Sequence, residues 1–469
     1  MKHFGRKSMF GAIGTLVAVG IGLALVGAAG IAGWEYTNSD EFCAVMCHSV
    51  HPEESRAHND SAHARVHCVE CHMGRNSTLK LIAMKPEHIK ELWGMIVGYE
   101  RPIHASGLRP AREACESCHW PQTEHHDSVA VNKRYGTDPK SSEVEYRLLL
   151  HTTADVERAI PWKVTGIHWH IANDVEFKSP DVQGESIPWI QVIRRDGSKA
   201  VYLDAESRLS SAEIAKLEPR RMECYNCHNS VGHPFPNPAY AVDAAIAADR
   251  ISRDLPAVKA RAMSLVDAAY KISGPLAERT AAIDKLIADN AAQHPVDAKM
   301  RDKDLQFQKE MKAILVNATF EAKGFSWKTF PNHAQHADSS GCFRCHDGKH
   351  FNEKGEAIRL QCTLCHNLPQ AKLESGKGSV ASTIVEGVTP PESHSAPNWM
   401  REHRLSLDDS CAMCHGKLEF GREGGNFCAN PACHGREWPA INLNVEWTPP
   451  AGATKAAAPS SGEAKSAKK

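Results

Sequence analysis

The chain has 469 residues, enough for two or more domains, yet only 7% are aromatic and the mean hydropathy is −0.41. Fifty-five basic and 56 acidic side chains leave a formal net charge of −1, which excludes the basic footprint of a nucleic-acid binder. Large apolar side chains are too few to fill a conventional core, so something else must contribute to the interior.

The amino end reads as a membrane anchor. Lys2, Arg6 and Lys7 precede an uncharged run, residues 10–33. At about 1.5 Å per residue this run reaches about 36 Å, enough to cross a hydrocarbon core of about 30 Å. The positive flank stays in the cytoplasm, which puts everything after Trp34 on the other side. Trp34 and Tyr36 then sit at the far interface. The rival is a cleaved signal peptide with small residues at 27–30, but its apolar region is normally only about 7–15 residues long. Both readings export the chain, and no later segment is apolar enough to span.

Sixteen cysteines then fall into eight pairs, each closed by a histidine. Six read Cys-x-x-Cys-His. They are Cys68 and Cys71 with His72, Cys115 and Cys118 with His119, and Cys224 and Cys227 with His228. The others are Cys342 and Cys345 with His346, Cys362 and Cys365 with His366, and Cys411 and Cys414 with His415. Two motifs are longer: Cys43 and Cys47 with His48 by one residue, and Cys428 and Cys433 with His434 by two. The pattern is the attachment site of haem c: both thiols form thioethers to the porphyrin, and the histidine reaches the iron. Zinc sites close two half-sites around one metal, and a disulfide framework does not need the trailing histidines. Eight haems per chain are therefore expected. They supply the missing apolar interior and make electron transfer the business of the chain.

Three motifs crowd residues 43–119. A hairpin is predicted at 190–203 with Asp196-Gly197 at its turn. The fourth motif stands alone at 224–228. Residues 239–320 read as amphipathic helices, broken at Pro256 and at Gly274-Pro275. Four motifs fill 342–434, and the Pro/Ala/Ser/Lys tail has no apolar period. The expected fold class is mainly α with many loops, a haem-packed multihaem cytochrome c with one transmembrane helix. The expected domains are an anchor (1–36), a tetrahaem domain with a hairpin insert (37–240), a helical spacer (241–335), a second tetrahaem domain (336–446) and a disordered tail (447–469).

The layout of basic start, single anchor and Phe42-Cys43 just beyond it resembles the NapC/NirT family of membrane-anchored quinol dehydrogenases. So do the strings Cys115-Glu-Ser-Cys-His-Trp-Pro121, Gly166-Ile-His-Trp-His170 and Met222-Glu-Cys-Tyr-Asn-Cys-His-Asn229, with Gly232-His233-Pro234 following. The likeness covers about half of the chain by motif position. The remainder is similar to extended multihaem members, with inner-membrane cytochromes of metal-respiring bacteria the nearest. The resemblance implies menaquinol as electron donor from the quinone pool, periplasmic redox proteins as acceptors, and a single-pass inner-membrane location with the haems in the periplasm. The family's first haem is followed by a methionine that ligates iron; here His48 is followed by Ser49-Val50, leaving His51 and Met46 as candidates by proximity.

Eight of the 27 histidines close motifs. Low-spin haem for electron transfer takes a second histidine on each iron. The distal candidates are His63, His126, His168, His170, His233, His336, His350 and His403. Members related to this family place a lysine and an acid beside the quinol, and the positional matches are Lys80 and Glu91, with Lys85, Glu87 and His88 as alternatives. Two other functions compete. One is a multihaem reductase or oxidase of a small nitrogen or sulfur species, although all eight motifs end in histidine. The other is a relay subunit fed by a separate membrane quinol dehydrogenase. Nothing in the residues sets the oligomeric state.

Overall fold

The computed structural model describes residues 4–47, 52–88, 93–94, 97–98, 108–119, 126–153, 166–194, 196–360, 364–366, 370–373, 398, 440–442 and 445. Several expected site residues lie outside them: His48, His51, Glu91, Cys362 and His403. So do the last two motifs whole, Cys411, Cys414 and His415, and Cys428, Cys433 and His434. The tail and the side chains of Cys47, Glu87 and His88 lie outside as well. The chain divides into two compact units, residues 1–117 with 231–234, and residues 118–230 with 235–469.

The first unit opens with α1 (Phe4–Tyr36). Its segment Ile13–Tyr36 is long and apolar enough to cross a membrane and none of it is buried. Leu16, Leu23, Leu25 and Val26 are each about two-thirds exposed or more, an arrangement suited to lipid. The helix stops where side chains capture its last carbonyls: Thr37 Oγ1 and Asn38 Nδ2 both donate to Trp34 O, at 3.1 and 2.8 Å. Ser39 then caps the single turn Asp40–Phe42, its Oγ accepting from Phe42 N at 3.1 Å. Cys43–Cys47 follows as a π-type turn. Such a turn takes in about one residue more than an α-turn, so the lengthened Cys-x-x-x-Cys spacing keeps positions 43 and 47 on one face. Beyond it come α2 (Pro52–Asn59), α3 (Cys68–His72), which is itself the second motif, and α4 (Thr78–Met84).

The second unit has two antiparallel sheets and a group of helices. One sheet has the order β1-β2-β8, from β1 (Ser128–Tyr135), β2 (Glu143–Leu150) and β8 (Gln370–Leu373). The other runs β6-β3-β4-β5-β7, from β3 (Asp174–Lys178), β4 (Trp189–Ile193), β5 (Lys199–Asp204), β6 (Arg220–Arg221) and β7 (His350–Phe351). The β4–β5 hairpin pairs Ile190 with Tyr202, and Gly197 takes φ +79° at its turn, where Asp196 Oδ1 accepts from Ser198 N. The other strands are not foreshadowed by the residue pattern. The five-stranded sheet buries Val175, Phe177, Ile187 and Ile190, against which Trp169, Met222 and Cys345 pack.

Short helices α5 (Trp169–Ala172) and α6 (Cys224–Cys227) adjoin this sheet in sequence. Then follow α7 (Pro238–Ala247), α8 (Val258–Ala269), α9 (Leu276–Gln293) and α10 (Arg301–Ala318). Pro256 and Gly274-Pro275 fall between helices, as the residue types predict. The four close around Val258, Leu265, Ile283, Phe307 and Leu315, each no more than 1% exposed, and Tyr135 of β1 joins that core.

Candidate functional site

Four pairs of histidines face each other at nearly the same separation. Ring centroids are 6.2 Å apart for His72 and His233, 6.4 Å for His168 and His228, 5.8 Å for His170 and His346, and 6.1 Å for His336 and His366. In each pair one member closes a Cys-x-x-Cys-His motif and the other is a distal candidate. An imidazole nitrogen stands about 2.0 Å from a bound metal and about 1.1 Å from its own ring centre, so two rings sharing one iron have centres about 6.2 Å apart. The four gaps fit an iron between two imidazoles.

The motif cysteines must be reachable by a porphyrin for thioethers to form. Cys71, one residue before His72 in α3, is half-buried, as are Cys68, Cys115, Cys224 and Cys342. Cys118, which precedes His119 in the third motif, is exposed. None of these is sealed inside the protein.

Hydrogen bonds prepare the paired rings for their role. His233 Nδ1 is 2.8 Å from Glu54 O, His168 Nδ1 is 2.6 Å from Thr152 O, and His170 Nδ1 is 2.7 Å from Ile167 O. His346 Nδ1 bonds to Arg359 O. A ring that donates Nδ1–H to a carbonyl leaves Nε2 bare, which is how metal-bound histidines are usually oriented. Burial, and then the neighbouring His170, pushes His346 down to about 4. Burial also lowers His170, and lowers His228 together with His168 and His119. All three are thereby held neutral, the form that binds metal.

Two glycines make the pairing sterically feasible. A Cβ on Gly166 would lie 2.0 Å from Thr153 O, so only glycine lets the His168 segment run this close to residues 151–153. Gly341 has φ +48°, and a Cβ there would lie 1.8 Å from Gln335 O. That contact sets the turn bearing Cys342 against the stretch of chain that supplies His336.

The remaining distal candidates are placed differently. His350 is buried with both ring nitrogens on oxygen acceptors, Asp347 Oδ1 at 2.9 Å and Ile187 O at 2.7 Å, so neither is left for a metal. Burial alone would lower its pKa, but the bond and charge of Asp347 raise it. Its two bonds fasten β7 to the loop before β4. His63 Nδ1 lies 3.3 Å from Val231 O, and His126 is exposed, its carbonyl taken by the Thr152 hydroxyl at 2.7 Å. His58 also lies 5.9 Å from His233, but both of its ring nitrogens face carbonyls, Gly232 O and Val66 O.

His151 is a residue that sequence reasoning misses. It is 7% exposed, its Nδ1 is 3.0 Å from Asp127 Oδ2, and its backbone N donates to Cys365 O at 2.8 Å. A buried ring oriented by a carboxylate beside a haem-motif cysteine has the character of a ligand. Its position, just past the end of the unread strand β2, hides it.

Near the anchor, Lys80 is engaged away from the first motif: its Nζ lies 3.0 Å from Glu113 Oε1 and 2.9 Å from Asn76 Oδ1. Lys85, one of the alternatives, holds the membrane corner instead. Its Nζ bonds Thr37 Oγ1, lies 4.3 Å above the Trp34 ring, and is within electrostatic reach of Cys43. Burial there holds Lys85 below the usual lysine range. Asp40 lies at the same corner, accepting from Cys68 N and pairing with His67 Nδ1, each at 2.9 Å.

Comparison with known proteins gives the family. Residues 6–99 match the NapC/NirT cytochrome c family, N-terminal region. The chain is also 34% identical to the cytochrome c-type protein ImcH of Geobacter sulfurreducens over 392 residues, 82% of this chain and 76% of that protein. No solved structure matches it. With an exposed apolar anchor, Cys-x-x-Cys-His motifs and kinship across most of its length, the chain belongs to the NapC/NirT family, as a membrane-anchored multihaem c-type cytochrome carrying covalent haem c.

Proposed function

We propose that the chain oxidises menaquinol at the periplasmic face of the inner membrane and relays the electrons through eight haems c to periplasmic redox proteins. The observation that supports the quinol side is Lys85, a half-buried cation bonded to the residue that ends the anchor and within reach of the first motif. A quinol arriving from the bilayer would meet it first. Each quinol gives up two electrons and two protons. Bound haem would supply one-electron acceptors, and the exposed Asp40–His67 pair offers the protons a way to water. Cys43 and Cys68 approach closely enough to hydrogen-bond as thiols. In the loaded protein these two side chains would be thioethers, each holding the porphyrin of its own motif.

The paired imidazoles support a relay rather than a reductase. His72 with His233, His228 with His168, His346 with His170 and His366 with His336 would fill both axial positions of four haems, leaving no open position for substrate. The motifs of Cys118 and His119, of Cys414 and His415, and of Cys433 and His434 complete the proposed set with those of His48 and the four pairs.

The test is reduction of detergent-extracted protein by a menaquinol analogue, followed in the haem spectrum and compared with dithionite. Equal reduction by both is the expected result. Reduction by dithionite alone overturns the quinol reading in favour of a fed subunit. A high-spin resting signal with substrate-dependent turnover overturns the relay in favour of the reductase. Lys85→Met should slow quinol oxidation about tenfold, equivalent to about 1.4 kcal/mol, with haem content intact. Lys80→Met should leave the rate nearly unchanged. Glu91→Gln should slow it if that acid shares the site, and an unchanged rate removes it.

A further inference from the structure

The motifs at Cys224 and Cys342 are separated in sequence by helices α7–α10, yet they touch. Arg344, inside the second motif, donates from Nη2 to the carbonyl of Asn226, inside the first, at 2.7 Å. Its Nη1 donates to Gly184 O at 2.9 Å, and His333 Nδ1 reaches the same Asn226 carbonyl at 3.1 Å. Strand β6 leads into Cys224 and strand β7 follows His346, at opposite edges of the five-stranded sheet, and Met222 and Cys345 both pack on the core of that sheet.

The turn at 168–170 lies between them. His168 pairs with His228 of the first motif, and His170 with His346 of the second. Residues two apart on a helical turn diverge by about 200°, so these rings point to opposite sides. Trp169, between them, packs against the sheet core alongside Cys345.

We propose that this single turn supplies the distal ligands of both neighbouring haems, and that electrons cross here between the amino-terminal and carboxy-terminal haem sets. The helices at 238–318 are then an excursion outside the path and not a spacer within it. The step moves one electron from a ferrous to a ferric centre, with no bond made or broken and no proton transferred. The inference rests on the relay reading.

The test uses the full-length, haem-loaded protein. His170→Met and His168→Met should each convert one bis-histidine centre per chain to histidine–methionine ligation. The change is read by electron paramagnetic resonance and near-infrared spectra, and potentiometry should show one component raised, since a methionine ligand raises the potential. Haem number by mass should be unchanged. His294→Gln, in the helical excursion, should change no axial spectrum. Partial photoreduction then reads internal electron equilibration, which His170→Met should disturb and Phe307→Ala, in the helical core, should not. Unchanged spectra in both methionine variants overturn the ligand assignment. Disturbance by Phe307→Ala equal to that of His170→Met overturns the bypass. If His170→Met loses its haem, His168→Met reads the junction from the other side. Expected spectra together with failure of a menaquinol analogue to reduce the protein would uphold the junction while removing the donor.

Discussion

The helices at 238–318 and the sheet that joins the Cys224 and Cys342 motifs belong to one compact unit but are held together by different physics. The helices have an ordinary core: Val258, Leu265, Ile283, Phe307 and Leu315 are all but inaccessible. Their buried charges are paired, Lys259 with Asp243 at 2.6 Å and Arg261 with Asp304, with Arg261 Nε also on Asn290 at 2.7 Å. The sheet has a smaller apolar cluster, Val175, Phe177, Ile187 and Ile190, with Phe351 of β7 also buried, and the motifs beside it are fastened by hydrogen bonds from Arg344, His333 and His350. The shortage of apolar side chains is therefore local. Where the chain carries no motif it builds its own interior; beside the motifs, hydrogen bonds carry more of the packing.

The strongest way to break this contrast is to remove the cofactor. In a chain produced without haem attachment, hydrogen exchange should find the amides of α7–α10 protected, while residues 166–230 and 335–366 exchange freely. Equal protection of the two regions would erase the distinction.

Within the helices, Phe307→Ala should cost about 3–5 kcal/mol of their stability by emptying a fully packed site. Thermal unfolding should record this with the resting haem spectrum unchanged. Asp243→Ala should cost a similar about 3–5 kcal/mol, because Lys259 is left buried without its partner. Recovery in Asp243→Leu with Lys259→Met would show that the loss came from the stranded charge.

The smallest effect belongs to the first unit, where polar contacts also dominate. Hydrogen bonds from Asn76 and Lys80, and then Arg109, hold the Glu113 carboxyl down to about 2. A carboxylate with a depressed pKa stabilises fully above its ordinary value of about 4.3, and that contribution is lost as pH falls through about 2. Glu113→Gln should therefore lower stability by no more than about 1 kcal/mol at neutral pH. The difference from the unmodified chain should vanish near pH 2, as thermal midpoints at the two pH values would show.

Several elements were readable because their causes are local. An apolar run long enough for lipid can be counted, and Pro256 and Gly274-Pro275 punctuate helices by their own backbone limits. The turn at Asp196-Gly197 carries its hairpin with it. Strands β1 and β2 escape notice because their alternation is weak: Val129 and Val131 of β1 are exposed, and the pairing of Ser128 with Leu150 depends on a partner well along the chain. The two-residue strands β6 and β7 carry no period at all.

By itself, then, the sequence determined the chemistry of attachment and the anchor, because thioether formation, an adjacent ligand and membrane span each need only neighbouring residues. Tertiary structure alone decided which histidine faces which. Lys80 is the positional match in the chain and Lys85 an alternative, yet Lys80 is drawn to Glu113 and Lys85 to the end of the anchor. His350 looks like a ligand until Asp347 and Ile187 occupy both its nitrogens. The fourth and fifth motifs appear remote until the folded chain brings Arg344 onto Asn226. Such choices depend on the distance between groups in space, and long-range strand pairing sets that distance in ways no short stretch of residues records.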